Sequence, residues 1–394
     1  MTVTVRELTR DELPAAWEMG RLAFGGPAEP PPRALRTEEG VVRLGAFDED
    51  DRLVGKIVDI AHDQWWGGRV VPAADVSGVA VRPEHRGGGL ARAMLAAVLG
   101  RAHDRGAAVS ALWPTVSGLY RSCGWEVAGV LGAADLDTAA LPASRRRDGV
   151  RLRAGDRDDL DAVTDLYEQV ARGRNGMLTR RGARFDDRPR TGLPEGVDTL
   201  TLAEEDGVVT GALALGRGRG YGPDARLEVR TLLATTPAAA HALVGVLSGW
   251  TTVTRTVRVP LLAGDAVSAV LPLERAQDSS GTVWMHRPVD VVRAVAARGW
   301  PAHVRGTVSF RLRDELAPWN SGDWQLVIAD GDGELTPSRR EPDHWLGVRG
   351  FGILYCGVST GQAAVQAGLA GGAGDPAGLD LLAAGPAAQL LDYF

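Results

Sequence analysis

Apolar residues alternate along residues 2–8, as in a strand. Thr9 and Glu12 then have the spacing of a capping box, ahead of a helical pattern through Trp17, Leu22 and Phe24. The prolines of the next segment, GGPAEPPP at 25–32, fix φ and remove donors, so the helix must stop there and give way to a surface loop. Two apolar runs, 41–47 and 53–61, flank the acidic turn Asp48, Glu49, Asp50, Asp51 and predict an antiparallel hairpin. A strand over 76–81 ends at Arg82 and Pro83. After three glycines, Leu90, Met94, Leu95, Val98 and Leu99 mark one face of a helix. A strand at 109–113, a short helix at 117–122 and a strand at 125–130 complete the order β, α, ββ, β, α, β, α, β.

The arginine-rich stretch 135–158 reads as a junction, and the element order then repeats. A helix is predicted over 160–171, strands over 199–204, 208–215 and 226–234, and a helix over 237–250 with proline in its first turn. Residues 227–250 can be laid beside 76–102 as strand, tight connection and helix, but the second copy lacks the arginine and the glycines. Between two of its strands, GRGRGYG at 216–222 reads as a hairpin connection. From Val283 a helix is expected, with Pro288 near its start and Gly299 past its end. Alternating strands follow at Val308, Phe310, Leu312 and at Trp324, Leu326, Ile328, then an apolar run at 351–356 and the ending Leu390, Leu391, Asp392, Tyr393, Phe394. The expected units are 1–148, 149–283 and 284–394.

Composition narrows the function. Basic residues number 44 against 50 acidic, a net charge of −6, which excludes a general phosphate-backbone binder and with it nucleic acid as a partner. All but one of the basic residues are arginine; Lys56 is the only lysine. Cys123 and Cys356 match no metal-ligand spacing and are too few for a disulfide framework, so no metal and a reducing compartment are expected. With no leader-like start and no run of about 18 apolar residues, neither a signal peptide nor a membrane span is predicted, and the expected location is cytoplasmic.

Candidate chemistry concentrates at 79–94, VAVRPEHRGGGLARAM. A strand runs into Arg86, Gly87, Gly88, Gly89 and a helix start, whose unpaired N–H groups suit a pyrophosphate. It is neither a Walker loop nor a dinucleotide fingerprint. Downstream lies GLYRSCGW. A thiolate leaving an acyl thioester needs a proton, and with a thiol pKa near ~8.5 and a phenol near ~10, Tyr120 can supply one. Cys123 as nucleophile lacks an identifiable histidine partner. An attacking amine, with a pKa near ~10.4, needs a base or a proton path. His62, His85 and His103 carry no motif for that role and read as solvated or structural.

Residues 79–94 resemble the acetyl-CoA motif of the GNAT superfamily of N-acyltransferases. The whole layout resembles the enhanced intracellular survival (Eis) family of aminoglycoside and lysine-amine acetyltransferases. Besides 79–94, the likeness rests on GLYRSCGW, DVVRAVAARGW, GILYCG and the aromatic C-terminus. It implies an α/β (α+β) fold class: tandem GNAT units, the second degenerate, followed by a sterol-carrier-protein-like α+β unit that presents the C-terminus. It implies acetyl-CoA as cosubstrate. The pantetheine would pair with the main chain of Val79, Ala80 and Val81, splayed from a neighbouring strand whose end carries Thr115 and Val116. The pyrophosphate would lie on Arg86, Gly87, Gly88, Gly89, Leu90, Ala91 and Arg92.

By the same resemblance the terminal carboxylate of Phe394 is the general base, Tyr120 the acid, and the assembly a homohexamer. The acceptor would be a cationic, aminoglycoside-like small molecule or a lysine-like amine. This chain departs from the family where glycine replaces an acid in the loop after Phe24, and where Tyr393 precedes the last residue. Glu29, Glu38, Asp392 and the tract Asp48 to Asp51 are the remaining sources of negative charge. The alternatives are a non-catalytic acyl-CoA or lipid-binding protein and an acyltransferase for a protein amine.

Overall fold

Twelve described strands join edge to edge in one sheet in which neighbours are consecutive in sequence except at its centre, beyond which the order runs in reverse. The computed structural model describes residues 3–143, 149–182, 185, 191–218 and 225–394. One half of the sheet holds β1 (Thr4–Glu7), β2 (Val41–Phe47), β3 (Leu53–Trp66), β4 (Arg69–Val81) and β5 (Val109–Leu112). Between this half and the other come β6 (Glu126–Asp137) and, much later in the chain, β12 (Asp278–Pro288). The other half holds β7 (Val150–Gly155), β8 (Thr199–Glu205), β9 (Val208–Arg217), β10 (Arg226–Ala234) and β11 (Thr256–Leu261). β6 belongs in sequence to the first unit yet pairs with β11 of the second. β12 follows the second unit and pairs with β5 of the first, and the two exchanged strands pair antiparallel with each other.

This exchange corrects two expectations. The boundary expected at 283/284 falls inside β12, and Met285–Pro288 are strand residues opposite Val109–Leu112, not the start of a helix. The helix, α6 in the count below, begins at Val291. The expected junction also starts too early, since Asp135 and Asp137 lie in β6, where Arg258 and Arg226 pair with Asp135. Residues 144–148 of that junction, and 219–222 of GRGRGYG, lie outside the described residues. The flanking β9 and β10 are antiparallel neighbours.

The β3–β4 hairpin is longer than the sequence pattern suggested. It turns at Gly67 and Gly68, both at positive φ (58° and 78°), where glycine carries no steric penalty. Its tip is the meeting point of the three units: the Gly67 N–H donates to Asn175 Oδ1, and a Cβ at Gly67 would lie 1.9 Å from the Gly299 carbonyl.

Helix α1 (Leu13–Phe24) packs on one face of this half-sheet through Leu13, Ala16, Met19 and Gly20. Leu22 and Phe24, part of the apolar pattern that predicts this helix, are exposed. Helix α2 (Leu90–Asp104) covers the opposite face with Met94, Leu95, Val98 and Leu99, against Ile57, Val76 and Leu112. It is followed by α3 (Ser117–Ser122). The second unit adds α4 (Leu160–Arg172) and α5 (Pro237–Ser248). In the third unit, α6 (Val291–Ala297), α7 (Val348–Tyr355) and α8 (Gly361–Gln366) accompany a five-stranded sheet. Its core residues Phe310, Phe351 and Tyr355 are continuous with Trp66, Val109 and Ala111 of the first unit. Among the described residues no helix is long and apolar enough to cross a membrane.

Arg287, on β12, is fully buried. Its guanidinium donates to Asp314 Oδ2 of the third unit and to the carbonyl of Cys123, just past α3. Removing one member of a buried pair strands the other charge, so Arg287→Ala should cost about 3–5 kcal/mol of stability. Chemical denaturation checks this, and adding Asp314→Ala should lose less than the sum of the two single changes.

Candidate functional site

β4 pairs with β5 only over Ala73–Val76 opposite Val109–Leu112, so residues 77–81 keep β3 on one side and leave the other edge open. A register shift lies within this stretch. Lys56 faces Ala80 and Val58 faces Ser77, so Gly78 and Val79 together oppose Ile57, with Gly78 at φ +58°. Such a bulge increases local twist and turns the strand away from its neighbour. The result is a cleft with the free main chain of Val79, Ala80 and Val81 on one side. Exposed Thr115 and Val116, past the end of β5, are on the other.

β4 runs through a single turn of 3₁₀ helix (Pro83–His85) into the glycines and α2. Gly87 and Gly89 have φ of +82° and +78°, and Gly89 is the cap residue of α2, with no side chain to satisfy the first N–H groups. A Cβ at either position would touch nothing within 4 Å. The glycines are therefore needed for backbone conformation and open approach, not for packing. Arg86 stays at the loop, its Nε donating to the Val81 carbonyl at 3.2 Å. Leu90 is buried in the core, so only its N–H can serve a ligand. Arg92 differs from expectation: its guanidinium donates to the Ser122 carbonyl at 2.6 Å and approaches Glu315, tying α2 to α3 and the third unit. These features fit a pyrophosphate. The second unit does not, because Thr236 accepts the Ala239 N–H and caps α5 with its own side chain.

Tyr120 lies on α3, immediately after the open end of β5. It is buried, and burial pushes its phenol up to about 12. Its hydroxyl has no hydrogen-bond partner among the described residues. Cys123 is a buried free thiol with no histidine partner. His85 lies in the glycine loop's approach and His103 packs on Trp319, so neither enters the cleft.

The C-terminal tail is docked through residues 388–392 and Phe394, while Tyr393 stays largely exposed. The Ala388 N–H donates to the Cys356 carbonyl and the Gln389 N–H to the Asn175 carbonyl, both at 2.8 Å, and Leu390 is buried. Asp392 accepts from Tyr167 Oη at 2.5 Å and from Arg180 Nε at 2.9 Å. Its charge is thus neutralised within the second unit and is not offered to a substrate. Tyr393 lies against Trp113, the residue after β5 (ring centroids 5.1 Å apart). Phe394 lies against Trp113 (6.2 Å) and, edge-on, against His62 (5.7 Å).

His62, which carries no motif in the sequence and reads there as solvated or structural, sits at the end of the chain's own tail. It is buried, with Nδ1 2.5 Å from Asp75 Oδ2 of β4, and its Nε2 and Asp75 Oδ1 have no partner among the described residues. No motif links residues 62 and 75. The signal available was a polar residue on each of two adjoining strands, at positions that the strand period turns inward.

On the same face of β3 as His62 lie Ile60, Val58 and Lys56, since side chains repeat every second residue. These three line a cavity of about 690 Å³ closed by α1, the segment 33–39, β2 and the bulge at Gly78. Lys56 is largely buried there, and burial, with Arg43 nearby, lowers its ammonium to about 8. Glu38 lines this cavity, ion-paired with Arg36 at 3.4 Å. Glu29 is exposed in the loop, and Asp48 is occupied in its own turn by the N–H groups of Asp50 and Arg52.

Comparison with known proteins agrees with this geometry. Residues 4–128 match the acetyltransferase (GNAT) domain and residues 291–388 the sterol carrier protein domain. A protein of Streptomyces avermitilis, described as an uncharacterized N-acetyltransferase, is 30% identical over 406 aligned positions, 94% of this chain and 93% of its own. The crystal structure of a GCN5-related N-acetyltransferase from Kribbella flavida superposes with a TM-score of 0.84 at 29% identity, covering 100% of this chain and 98% of that one. Eis1 from Mycobacterium abscessus shares the fold, with a TM-score of 0.76 at 21% identity over the whole of both chains. An open cleft beside a glycine loop at a helix start, in a chain with this likeness from end to end, leads to one conclusion: the protein belongs to the GNAT N-acetyltransferases, acyltransferase enzymes with acetyl-CoA as cosubstrate, and carries a sterol carrier protein domain at its C-terminal end.

Proposed function

We propose that the protein moves the acetyl group of acetyl-CoA directly to a primary amine of a small molecule, with the Phe394 carboxylate as base and Tyr120 as acid. The observation that carries this reading is the docked tail, which ends against Trp113 and His62 beside the β4–β5 cleft. A tail serving only as a linker would need neither the Asp392 anchor nor a buried Leu390. The catalytic unit is the first; the second is a scaffold that holds the tail through Tyr167, Arg180 and Asn175. The resemblance also extends to a homohexamer, which sedimentation would check.

Bound acetyl-CoA supplies a thioester carbonyl, and a C–N bond to the amine forms as the C–S bond breaks. Arg86 and the N–H groups of Gly87 to Ala91 would hold the pyrophosphate, and the free main chain of Val79 to Val81 the pantetheine amides. Thr115 and Val116 would border the same slot. An α-carboxyl has a reference pKa near ~3.5 and a free ammonium near ~10.4. Phe394 therefore takes the amine proton only as the nitrogen gives its electron pair to carbon, and a desolvated carboxylate is the stronger base. Tyr120, held up to about 12 by burial, keeps its proton throughout the neutral range and can donate to the departing sulfur.

Tyr120→Phe should lower kcat by about 10²–10³-fold. A single glycine appended after Phe394 displaces the carboxylate by about 3.5 Å and should cost a similar factor. Both variants should bind acetyl-CoA as the parent does, in isothermal titration. Parent rates of thiol release in both would remove these roles, and acetyl-CoA binding without turnover of any amine would favour the non-catalytic alternative.

The loop is tested separately. Valine at position 89 must adopt φ near +78°, a strain of about 1–3 kcal/mol, and crowds the approach to the helix start. Gly89→Val should weaken acetyl-CoA binding about tenfold or more while α3 and the tail stay in place. An unchanged dissociation constant would place the pyrophosphate elsewhere.

A further inference from the structure

The cavity under α1 has an unbalanced charge. Lys56, Arg33, Arg36 and Arg43 line it against two carboxylates, Glu38 and Glu39, and Glu38 is already engaged by Arg36. Arg43 also holds the segment above the cavity by donating to the carbonyls of Arg33 and Arg36.

Lys56 is placed with care. A Cβ on Gly20 of α1 would come 2.7 Å from its Nζ, and one on Gly78 would come 3.8 Å from it, so the amine fits between two glycines, one of them at the β4 bulge. Among the described residues no carboxylate pairs with it. A largely buried ammonium without a counter-charge is costly. Its lowered pKa of about 8 expresses that cost, and an anion entering the cavity would relieve it.

We infer that the acceptor amine carries an anionic group, a carboxylate or a phosphate, and that Lys56 in the cavity between α1 and the β4 bulge is its counter-charge. This rests on the acetyl-transfer reading and adds the substrate's class: an amino acid or aminoalkyl phosphate in place of an aminoglycoside-like polycation, which would leave the buried Lys56 ammonium without a counter-charge. Val58 and Ile60, the next residues on this face of β3, give the cavity an apolar wall beside Lys56 for the carbon chain of such an acceptor.

The test uses the full chain and two matched pairs of acceptors, lysine against cadaverine and O-phosphoethanolamine against ethanolamine, with saturating acetyl-CoA. At least one anion-bearing member should exceed its partner about tenfold or more in kcat/KM. Lys56→Met should bring that ratio to about one while binding acetyl-CoA normally, which also shows that the variant folds; Lys56→Arg, where it folds, should keep the preference. Isothermal titration of the same amines reads recognition without turnover. If no amine is acetylated but an anion-bearing one binds the parent and not Lys56→Met, the inference stands and the catalytic reading falls. It is overturned if the parent neither prefers nor binds the anion-bearing member of either pair, or if Lys56→Met keeps the preference. It is also overturned if acetyl-CoA alone adds an acetyl group at Lys56, which would make this amine an acceptor.

Discussion

The exchange of two strands at the centre of the large sheet is the constraint on which the rest of the molecule depends. Without β12, the short parallel strand β5 would end the first half-sheet with a row of unpaired N–H and C=O groups; without β6, β11 would do the same for the second. Each half closes the other, and the third unit begins where β12 leaves the sheet. Because β12 lies beside β5, Arg287 reaches the Cys123 carbonyl, and the ion pair with Asp314 fastens the third unit beneath α3 and Tyr120. The return of the tail to the cleft is a consequence of the same topology.

Buried charge falls into two kinds. Arg287 with Asp314, and Arg180 with Asp392, are closed pairs that hold elements together. Burial, and then the charge of Asp392, raise the Tyr167 phenol well above its ordinary range, so Tyr167 remains a donor and the tail stays fastened. Lys56 and the free ends of the His62–Asp75 pair are the second kind: buried polar groups without a partner among the described residues. Unsatisfied groups of this kind are rare in native interiors. Both lie on the face of β3 that leads from the α1 cavity to Phe394.

The polar residues of this face also explain where reading by pattern failed. Alternation of apolar residues delimited β3 at Ala61 and β4 at Val76 because His62, Asp63, Gln64 and Asp75 broke it. The strands continue to Trp66 and back from Arg69, with His62, Gln64 and Asp75 buried. Local rules fail where a buried polar group serves the site instead of the core. Pro288 misled for a different reason. A proline before a helical pattern reads as a helix start, but here it ends a strand, and Asp290 caps the helix that follows.

By itself the sequence determined what short-range geometry decides. The glycine loop, its helix and the capping box at Thr9 depend on residues within a few positions of one another, and conformational preference alone selects them. The short helix that carries Tyr120 was legible for the same reason, in a short segment between two strands. The tertiary structure decided everything that required distant residues to meet: the strand exchange, the His62–Asp75 pair, the turn of Arg92 toward Ser122, the neutralisation of Asp392 by Arg180, and the absence of a counter-charge for the one lysine. Charge and composition are sums over the chain. Whether a given charge is paired, exposed or left facing a cavity depends on burial and on neighbours brought in by folding.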